Sequence, residues 1–274
     1  MLANFAGDLK GLPCEIVDEI LEYLAGDLPA LKACSLTCKV LLRSARRVIH
    51  RRLRIRGWVR SCPLDEHDIR AANLADFHPL LVAAKCGLTC YTRQLTINLG
   101  GNFHPKNLLP FLPQFQTLTR VTSLSLLYFH PTPFLPVFEQ YFRHLAQQIQ
   151  SLEFVGPRGS HHSLLYFISR FPNLDDLGLD LSNSYFPQGQ DIPTILSSPT
   201  LRGTLRIKDA RADGLLRAFK RLPSGLRFRS IEFRRCTSIN PNIVIQECAS
   251  TIQHLTHGID YSEFFPSGAT DKES

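Results

Sequence analysis

Residues 12–49, LPCEIVDEILEYLAGDLPALKACSLTCKVLLRSARRVI, decide the fold of the first part of the chain. Pro13 suits the first turn of a helix, because its fixed φ is helical and an N–H is not needed there. Ile16, Ile20 and Leu24 follow four residues apart, so they share one face of that helix. The stretch therefore opens with an amphipathic helix.

Two more helices are predicted in the same stretch. Gly26 can end the first helix in left-handed geometry, and Asp27 can cap the second, which starts near Leu28. A third helix is expected over residues 37–52. Its predicted inner residues are Val40, Leu41, Ala45, Val48 and Ile49. Three short helices bury little apolar surface, so part of this surface is predicted to contact a partner.

These residues resemble the F-box, the helical module that docks substrate receptors onto the Skp adaptor of cullin-based ubiquitin ligases. The matching residues are Leu12-Pro13, Glu15-Ile16, Ile20-Leu21-x-x-Leu24 and Leu36-x-Cys38-Lys39. Many F-boxes have tryptophan where this chain has Leu41 and Leu42. The resemblance implies that Skp contacts Leu12, Pro13, Ile16, Ile20, Leu24, Leu28, Leu36 and Cys38. The alternative is an ordinary three-helix part of a larger core.

A second pattern, with apolar residues at the first, fourth and sixth positions, recurs beyond residue 90 at intervals of 24 to 29 residues. Its strand copies start at Leu95, Leu124, Leu152, Leu177, Leu205 and Ile231, and more weakly at Leu255. The alternation predicts short strands with one buried face. The predicted core set is Leu124, Leu126, Leu152, Phe154, Leu177, Leu179, Leu205, Ile207, Ile231 and Phe233. The period lies in the range of leucine-rich repeats.

The segments between these strands have helical patterns. They cover residues 107–116, 134–148, 162–170, 191–197, 214–221 and 241–250. In the second segment, Val137, Tyr141, Leu145 and Ile149 recur at the four-residue spacing of a buried helical face. Strands that alternate with helices predict a parallel sheet with crossover connections. A single irregular α/β domain would show the same alternation and stays the alternative.

This region resembles the divergent leucine-rich-repeat half of F-box proteins, particularly those of fungi. The Asn or Cys that the family has after each strand is present only as Cys236, while Phe129, Pro157, Ser182 and Ala210 stand at the other positions. The resemblances together imply an α + α/β fold, with a three-helix F-box followed by an irregular leucine-rich-repeat-like solenoid with a parallel sheet. The expected division is F-box 1–55, helical linker or cap 56–92, repeat domain 93–262 and flexible tail 263–274. Within the linker, a helix is suggested by Leu74, Phe77, Leu80, Leu81 and Ala84.

The chain carries a formal charge of +7, and many of its arginines lie in the range 43–60. Such a run can bind nucleic acid or serve as a nuclear import signal. Trp58 is the single tryptophan, and there is no aromatic interleaving for stacking on bases. The pattern favours the solvated face of the third helix over nucleic-acid binding.

No pattern for an enzyme, a cofactor or a metal site is found in the sequence. Gly100-Gly101 lacks the Lys-Ser of a phosphate loop, and His161-His162 lacks a third ligand at useful spacing. Cys86 and Cys90, with Cys62 upstream, are too loosely spaced to favour zinc. Hydrophobic residues make up 44% of the chain, yet neither a secretory signal nor a membrane-spanning run is visible. We therefore expect a cytoplasmic or nuclear protein.

These features predict a non-catalytic substrate receptor that binds Skp, reaches cullin through it, and captures an unknown protein target. The strand residues that alternate with the core set must face outward, in rows about 4.8 Å apart. The candidate target-binding residues are Glu153, Asp176, Asp180, Arg206, Lys208, Glu232 and Arg234. One predicted row is Glu153, Gly178, Arg206 and Glu232, and the next is Asp180, Lys208 and Arg234. This places Arg206 beside Glu232 and Asp180 beside Lys208. Two other functions stay open: a repeat scaffold outside the ubiquitin system, and a basic nuclear protein associated with nucleic acid.

Overall fold

The computed structural model shows an α/β protein whose described strand pairings are all parallel. It describes residues 13–56, 71–73, 88–99, 115–182, 184, 201–208, 215, 219, 226–235 and 242–258. The chain divides into two compact units. The first unit comprises Met1–Leu126 with Pro136–Ile149, and the second comprises Leu127–Leu135 with Gln150–Ser274.

The helices and strands are numbered in chain order. The helices are α1 Cys14–Tyr23, α2 Leu28–Thr37, α3 Lys39–Ile49, α4 Pro131–Tyr141, α5 Arg143–Ala146, α6 His161–Ile168 and α7 Asn242–Cys248. The strands are β1 Arg52–Arg56, β2 Ala71–Asn73, β3 Gln94–Asn98, β4 Ser123–Leu127, β5 Ser151–Val155, β6 Asp176–Asp180, β7 Thr204–Lys208, β8 Ser230–Arg234 and β9 His254–Gly258. A short 3₁₀ turn spans Leu88–Tyr91.

Helices α1 to α3 enclose a small apolar core. Its buried members are Val17, Leu21, Leu31, Ala45 and Val48. The carboxylate of Asp27 caps α2 as predicted, because its Oδ1 accepts a hydrogen bond from the Ala30 N–H at 2.9 Å. Pro13 precedes α1, and its carbonyl accepts the first helical hydrogen bonds. The three predicted helices are therefore confirmed.

Three details of this prediction are wrong. Gly26 does not have a positive φ, since α1 ends through hydrogen bonds from Leu24 and Ala25 to carbonyls of its own last turn. The third helix is shorter than the range 37–52, because the chain changes to β1 at Arg52. Val40 lies in the first turn of α3 and is exposed, not inward.

Strand β1 was not predicted, because its arginines were interpreted as part of a solvated charge run. Leu53 and Ile55 alternate with these arginines, and Ile55 is fully buried. The strand pairs in parallel with both β3 and β2. In the first unit the strand order is β2-β1-β3-β4. The predicted linker helix between residues 74 and 84 lies outside the described residues.

In the second unit, β5 to β9 follow one another in sheet order and in sequence. The register places Leu152 beside Leu177, Leu177 beside Leu205, and Leu205 beside Ile231. All ten residues of the predicted core set are almost completely buried. The weak copy at Leu255 also forms a strand, but the Leu255 side chain is exposed. The predicted strands and their inward faces are thus confirmed, except at Leu255.

The buried face of α4 differs from the one predicted. Val137 and Tyr141 are only half-buried, whereas Leu145 and Ile149 are fully buried as expected. The inward residues of α4 and the turn after it are Phe134, Phe138 and Phe142. Two four-residue series overlap in this segment, and the larger aromatic series takes the interior.

The predicted helix over 162–170 is observed as α6, and the one over 241–250 as α7. The predicted segments 107–116, 191–197 and 214–221 lie largely outside the described residues.

A buried aromatic side chain, and not a polar one, follows β4. Phe129 occupies the first position where the family has Asn or Cys, and it is fully buried. Its ring lies 4.7 Å from that of Phe167, 5.3 Å from Phe134 and 5.6 Å from Phe154, measured between centroids. Such contacts stabilise a core without a buried amide. Backbone hydrogen bonds join the turns to the next strand, as from the Gly156 N–H to the Asp180 carbonyl at 2.8 Å.

Candidate partner-binding surfaces

Helix α1 carries two apolar stripes, and only one of them is covered. Val17 and Leu21 face the core of the three-helix module, where each is 2% exposed. Ile16, Ile20 and Tyr23 share a stripe roughly 100° around the helix from that face. These three side chains are 42%, 50% and 86% exposed. An apolar stripe of this size on a short helix is typical of a surface that binds a partner.

A second exposed apolar group lies where α2 ends and α3 begins. Leu36, in the last turn of α2, is 87% exposed, and Val40, in the first turn of α3, is 47% exposed. Cys38 links the two helices with an extended backbone and is half-buried. The hydroxyl of Thr37 donates to the Cys34 carbonyl at 2.7 Å, so this junction is locally ordered.

The predicted Skp contacts that the structure describes fall into three groups by exposure. Pro13, Ile16, Ile20 and Leu36 are exposed, as the hypothesis requires. Leu24 and Cys38 are half-buried, and Leu24 packs against the module core. Leu28 is only 9% exposed, so little of its side chain is accessible to a partner. Leu12 lies outside the described residues.

Ion pairs fasten α1 to the segment that carries the arginine run. Arg47 of α3 pairs with Asp18, and Arg51 pairs with Glu22 one turn further along α1. Both pairs are partly solvent-exposed, so each contributes at most about 1 kcal/mol. Arg47 and Arg51 belong to the arginine run that was predicted to be a solvated face. They also contact α1.

The outward face of the second unit has the two rows that were predicted. In the first row, Gly178 lies between Glu153 and Arg206, and Arg206 is followed by Glu232. In the second row, Lys208 lies between Asp180 and Arg234. The predicted register of the candidate target-binding residues is therefore confirmed. Their binding role stays a prediction.

The charged neighbours in the rows are those that were predicted, but only one of the two neighbouring pairs forms an ion pair. Asp180 accepts a hydrogen bond from the Lys208 ammonium at 2.7 Å, as expected. Glu232 pairs with Arg234 on its own strand, with Nη2 of Arg234 2.6 Å from Oε1 of Glu232, and not with its row neighbour Arg206. Two residues on one strand point to the same face, so this pairing needs no change of register.

Two carboxylates of this face also have structural roles. Oδ1 of Asp176 accepts a hydrogen bond from the Thr204 N–H at 2.6 Å, which anchors the start of β7 to β6. Burial tends to raise the pKa of Asp180, but hydrogen bonds from Lys208 and Ser182 outweigh it, so the net pKa lies below the ordinary value. Asp180 is therefore ionised across the physiological range.

Arg206 differs from the other charged residues of the rows. Its side chain is exposed, and it forms no ion pair with any residue in the described part of the chain. The sequence placed Arg206 beside Glu232, which the register confirms, but Glu232 contacts Arg234 instead. Tyr23 and Val40 were also missed as exposed apolar residues. The i+3 spacing of Tyr23 from Ile20 was a signal that could have identified it.

No metal-binding group of three or more His, Cys, Asp or Glu side chains occurs among the described residues. Cys34, Cys38, Cys90 and Cys248 are free thiols. His161, the first residue of α6, and His162 are partly buried, and burial lowers the pKa of both. The remaining members of the loose Cys62–Cys90 group lie outside the described residues.

The chain matches no protein-family model, no curated protein and no solved structure. Within the residues that the structure describes, no helix has both the length and the apolar character to cross a membrane.

Proposed function

We propose that this protein is a substrate-receptor subunit of a Skp–cullin–F-box ubiquitin ligase. The N-terminal three-helix module would dock on Skp, and the leucine-rich-repeat-like sheet region would capture a protein target. The observation that carries this proposal is the uncovered apolar stripe on α1, which coincides with the residues that resemble an F-box.

The exposed apolar residues are suited to a helical adaptor interface. Ile16, Ile20 and Tyr23 extend over two turns of α1, and Leu36 adds a further apolar group at the end of α2. Covering such side chains stabilises a complex in proportion to the apolar area that leaves water. The core beneath them is separate, since Val17, Leu21 and Leu31 remain buried without a partner. Binding can therefore use this surface without unfolding the module.

The sheet region is suited to holding a target rather than to chemistry. A parallel sheet with consecutive strands displays an extended, rigid surface. A receptor of this kind acts by proximity: it raises the effective concentration of a target lysine near a ubiquitin that another enzyme carries. In this proposal the protein has no catalytic residues and no cofactor, and it acts in the cytoplasm or the nucleus.

The test is the affinity of the purified chain for Skp, measured by calorimetry or interferometry, with the variant Ile16→Ala/Ile20→Ala. Central apolar anchors of an interface commonly cost about 2 kcal/mol or more when they are truncated. We therefore expect the double variant to bind Skp at least about tenfold more weakly. The helix itself should be preserved, because alanine is the best helix former.

The matched control is Leu255→Ala, which removes similar exposed apolar surface from β9, since Leu255 is 51% exposed. It should leave Skp affinity unchanged. Circular dichroism melting of each variant verifies that folding is intact. If wild-type protein fails to bind Skp, or if the α1 variant binds as tightly as the control, the receptor function is refuted.

A further inference from the structure

Three exposed arginines lie together at the start of β7 and β8 in the second unit. Arg202 precedes β7 by two residues, Arg206 points outward from the middle of β7, and Arg229 directly precedes β8. The Arg229 N–H donates to the carbonyls of Arg202, at 3.3 Å, and Gly203, at 3.0 Å. The backbones at the two strand starts are therefore adjacent. We call Arg202, Arg206 and Arg229 the arginine cluster.

The arginine cluster has no ion pair within the described part of the chain. The two carboxylates closest in register already have donors. Asp176 accepts from the Thr204 N–H, and Glu232 accepts from Arg234. Asp175 and Asp176 reduce the local positive potential, but two carboxylates do not balance three guanidinium groups. The cluster is thus a site of net positive charge with unused hydrogen-bond donors.

Side-chain hydroxyls lie within the same area. Thr204 and Ser230 are register partners on β7 and β8, and both are half-buried on the outward face. Neither hydroxyl makes a hydrogen bond within the described part of the chain. Guanidinium groups combined with hydroxyls are suited to binding carboxylate oxygens.

The shape of the cluster favours a short extended peptide. Arg202 and Arg206 are four residues apart, which is roughly 13 Å along an extended chain, and Arg229 lies on the neighbouring strand, about 4.8 Å to the side. Acidic side chains at alternate positions of an extended peptide repeat at roughly 6.7 Å. A segment of about four residues therefore spans the cluster.

The neighbouring surface disfavours nucleic acid. The outward positions of β5 and β6 include Glu153, Asp176 and Asp180, which would repel a continuous phosphate backbone. The outward positions of β5 to β9 carry no Phe, Tyr or Trp side chain on which bases could stack. A ligand with a short acidic stretch avoids both problems.

We propose that the arginine cluster binds a short carboxylate-rich segment of a protein partner. That this partner is the ubiquitination target rests on the function proposed above. Within the seven candidate target-binding residues, recognition then depends on Arg206, while Lys208 and Arg234 serve mainly to balance Asp180 and Glu232.

The test is binding of a fluorescein-labelled peptide with four consecutive glutamates, flanked by Gly-Ser, to the full chain. Fluorescence anisotropy gives the affinity. The same peptide with four glutamines should not bind, and affinity for the acidic peptide should fall as salt concentration rises. The variant Arg206→Glu/Arg229→Glu should bind at least about tenfold more weakly, because two attractive contacts become repulsive.

The matched control is Arg43→Glu/Arg46→Glu, which changes net charge equally at exposed positions of α3. It should bind the peptide within about twofold of wild type, because it leaves the arginine cluster itself unchanged and salt weakens the effect of the altered net charge. If the double glutamate variant does not fold, Arg206→Gln provides the same test with an expected loss of about threefold.

Three results would overturn the proposal: no binding of the acidic peptide, equal loss in both double variants, or tighter Arg206-dependent binding of a single-stranded DNA oligonucleotide. Parallel measurement of Skp affinity separates this proposal from the receptor function. If Skp does not bind but the peptide binds with the expected dependence on Arg206, the receptor function fails and the assignment of the surface stands.

Discussion

Gly203 lies directly before β7, where the chain passes close to the start of β6. A Cβ atom built on Gly203 would clash with Oδ1 of Asp176 and would lie 3.1 Å from the carbonyl group of Asp175. The same Oδ1 accepts the hydrogen bond from Thr204, and the Gly203 N–H donates to the Asp175 carbonyl at 3.1 Å. An alanine at position 203 must therefore displace a carboxylate that the backbone holds in place.

We expect Gly203→Ala to lower the free energy of unfolding by about 2–4 kcal/mol. Loss of a hydrogen bond to a charged group costs about 1.5–3 kcal/mol. Forcing extra atoms into a close-packed region costs about 1–3 kcal/mol. Alanine also reduces the entropy of the unfolded chain, which offsets about 0.4–1 kcal/mol of that loss. Urea denaturation followed by circular dichroism measures the difference.

Gly178→Ala is the matched control on the neighbouring strand. A Cβ atom there would lie 3.2 Å from Cγ of Glu153, which belongs to an exposed side chain that can move. This variant should lose less than about 1 kcal/mol. The double variant Gly203→Ala/Asp176→Ala should be less destabilised than the sum of its single changes, because the clash and the hydrogen bond share one partner. Equal losses for the two glycine variants, or a loss below about 0.5 kcal/mol for Gly203→Ala, would refute this account.

Three further predictions concern the stability of the second unit. Leu177→Ala should lower the free energy of unfolding by about 2–5 kcal/mol, because Leu177 is fully buried in the sheet core. A loss below about 1 kcal/mol in urea denaturation would contradict this packing. Burial lowers the pKa of His161 and His162, so the stability they contribute as neutral side chains is complete above the ordinary histidine pKa and is lost as pH falls from there through the lowered pKa of the folded state. Replacing both with glutamine should flatten the decline of the urea midpoint below about pH 7.5, and an unchanged slope would exclude these residues as its cause. Arg235 has a φ of 54°, in the left-handed region that glycine adopts without strain. Arg235→Gly should therefore be neutral or stabilising by up to about 1 kcal/mol, whereas Arg235→Val should destabilise by at least about 1 kcal/mol. The reverse order would show that the left-handed turn is not retained.

The strands of the second unit could be predicted because their signal is local and repeated. Apolar residues alternate with polar ones within each copy, and a shift of one residue would expose the whole apolar set. Leu177, Leu205 and Ile231 therefore had to lie in register, and they do. The same reasoning predicted which candidate residues share a row on the outward face.

Strand β1 shows where such reasoning fails. Its alternation of Leu53 and Ile55 with arginines is as regular as in the later strands, but the charge of the surrounding run dominated the interpretation. Strand β1 lies between β2 and β3, and the burial of Ile55 depends on this placement. Tertiary pairing of this kind is not visible in a local pattern.

Helix faces were harder to predict than strand faces. The segment over α4 contains two overlapping series at four-residue spacing, so the sequence permits either face to be buried. Phe134, Phe138 and Phe142 occupy the interior, while Val137 and Tyr141 lie at its border. Phenylalanine buries more apolar area than valine, so burial of the aromatic series is the more stabilising choice.

On α1, the question of which apolar face is buried bears on the proposed Skp interface. The sequence showed apolar residues around more than half of the helix, but it could not show which of them the chain covers itself. Val17 and Leu21 are covered, whereas Ile16 and Ile20 are not. The module core is complete without the exposed stripe, so the proposed Skp contact would not compete with the core for these side chains.

The pairing of Glu232 connects the fold to the proposed binding surface. Row geometry places Glu232 beside Arg206, yet its carboxylate contacts Arg234, whose Nε and Nη2 both lie 2.6 Å from Oε1. A carboxylate that already accepts two guanidinium hydrogen bonds attracts a further cation less strongly than a free one. Because Glu232 contacts Arg234, the guanidinium of Arg206 remains available to a partner, as do those of Arg202 and Arg229. Exposed ion pairs differ by less than about 1 kcal/mol, so sequence reasoning could predict the rows but not which arginine remained available to a partner.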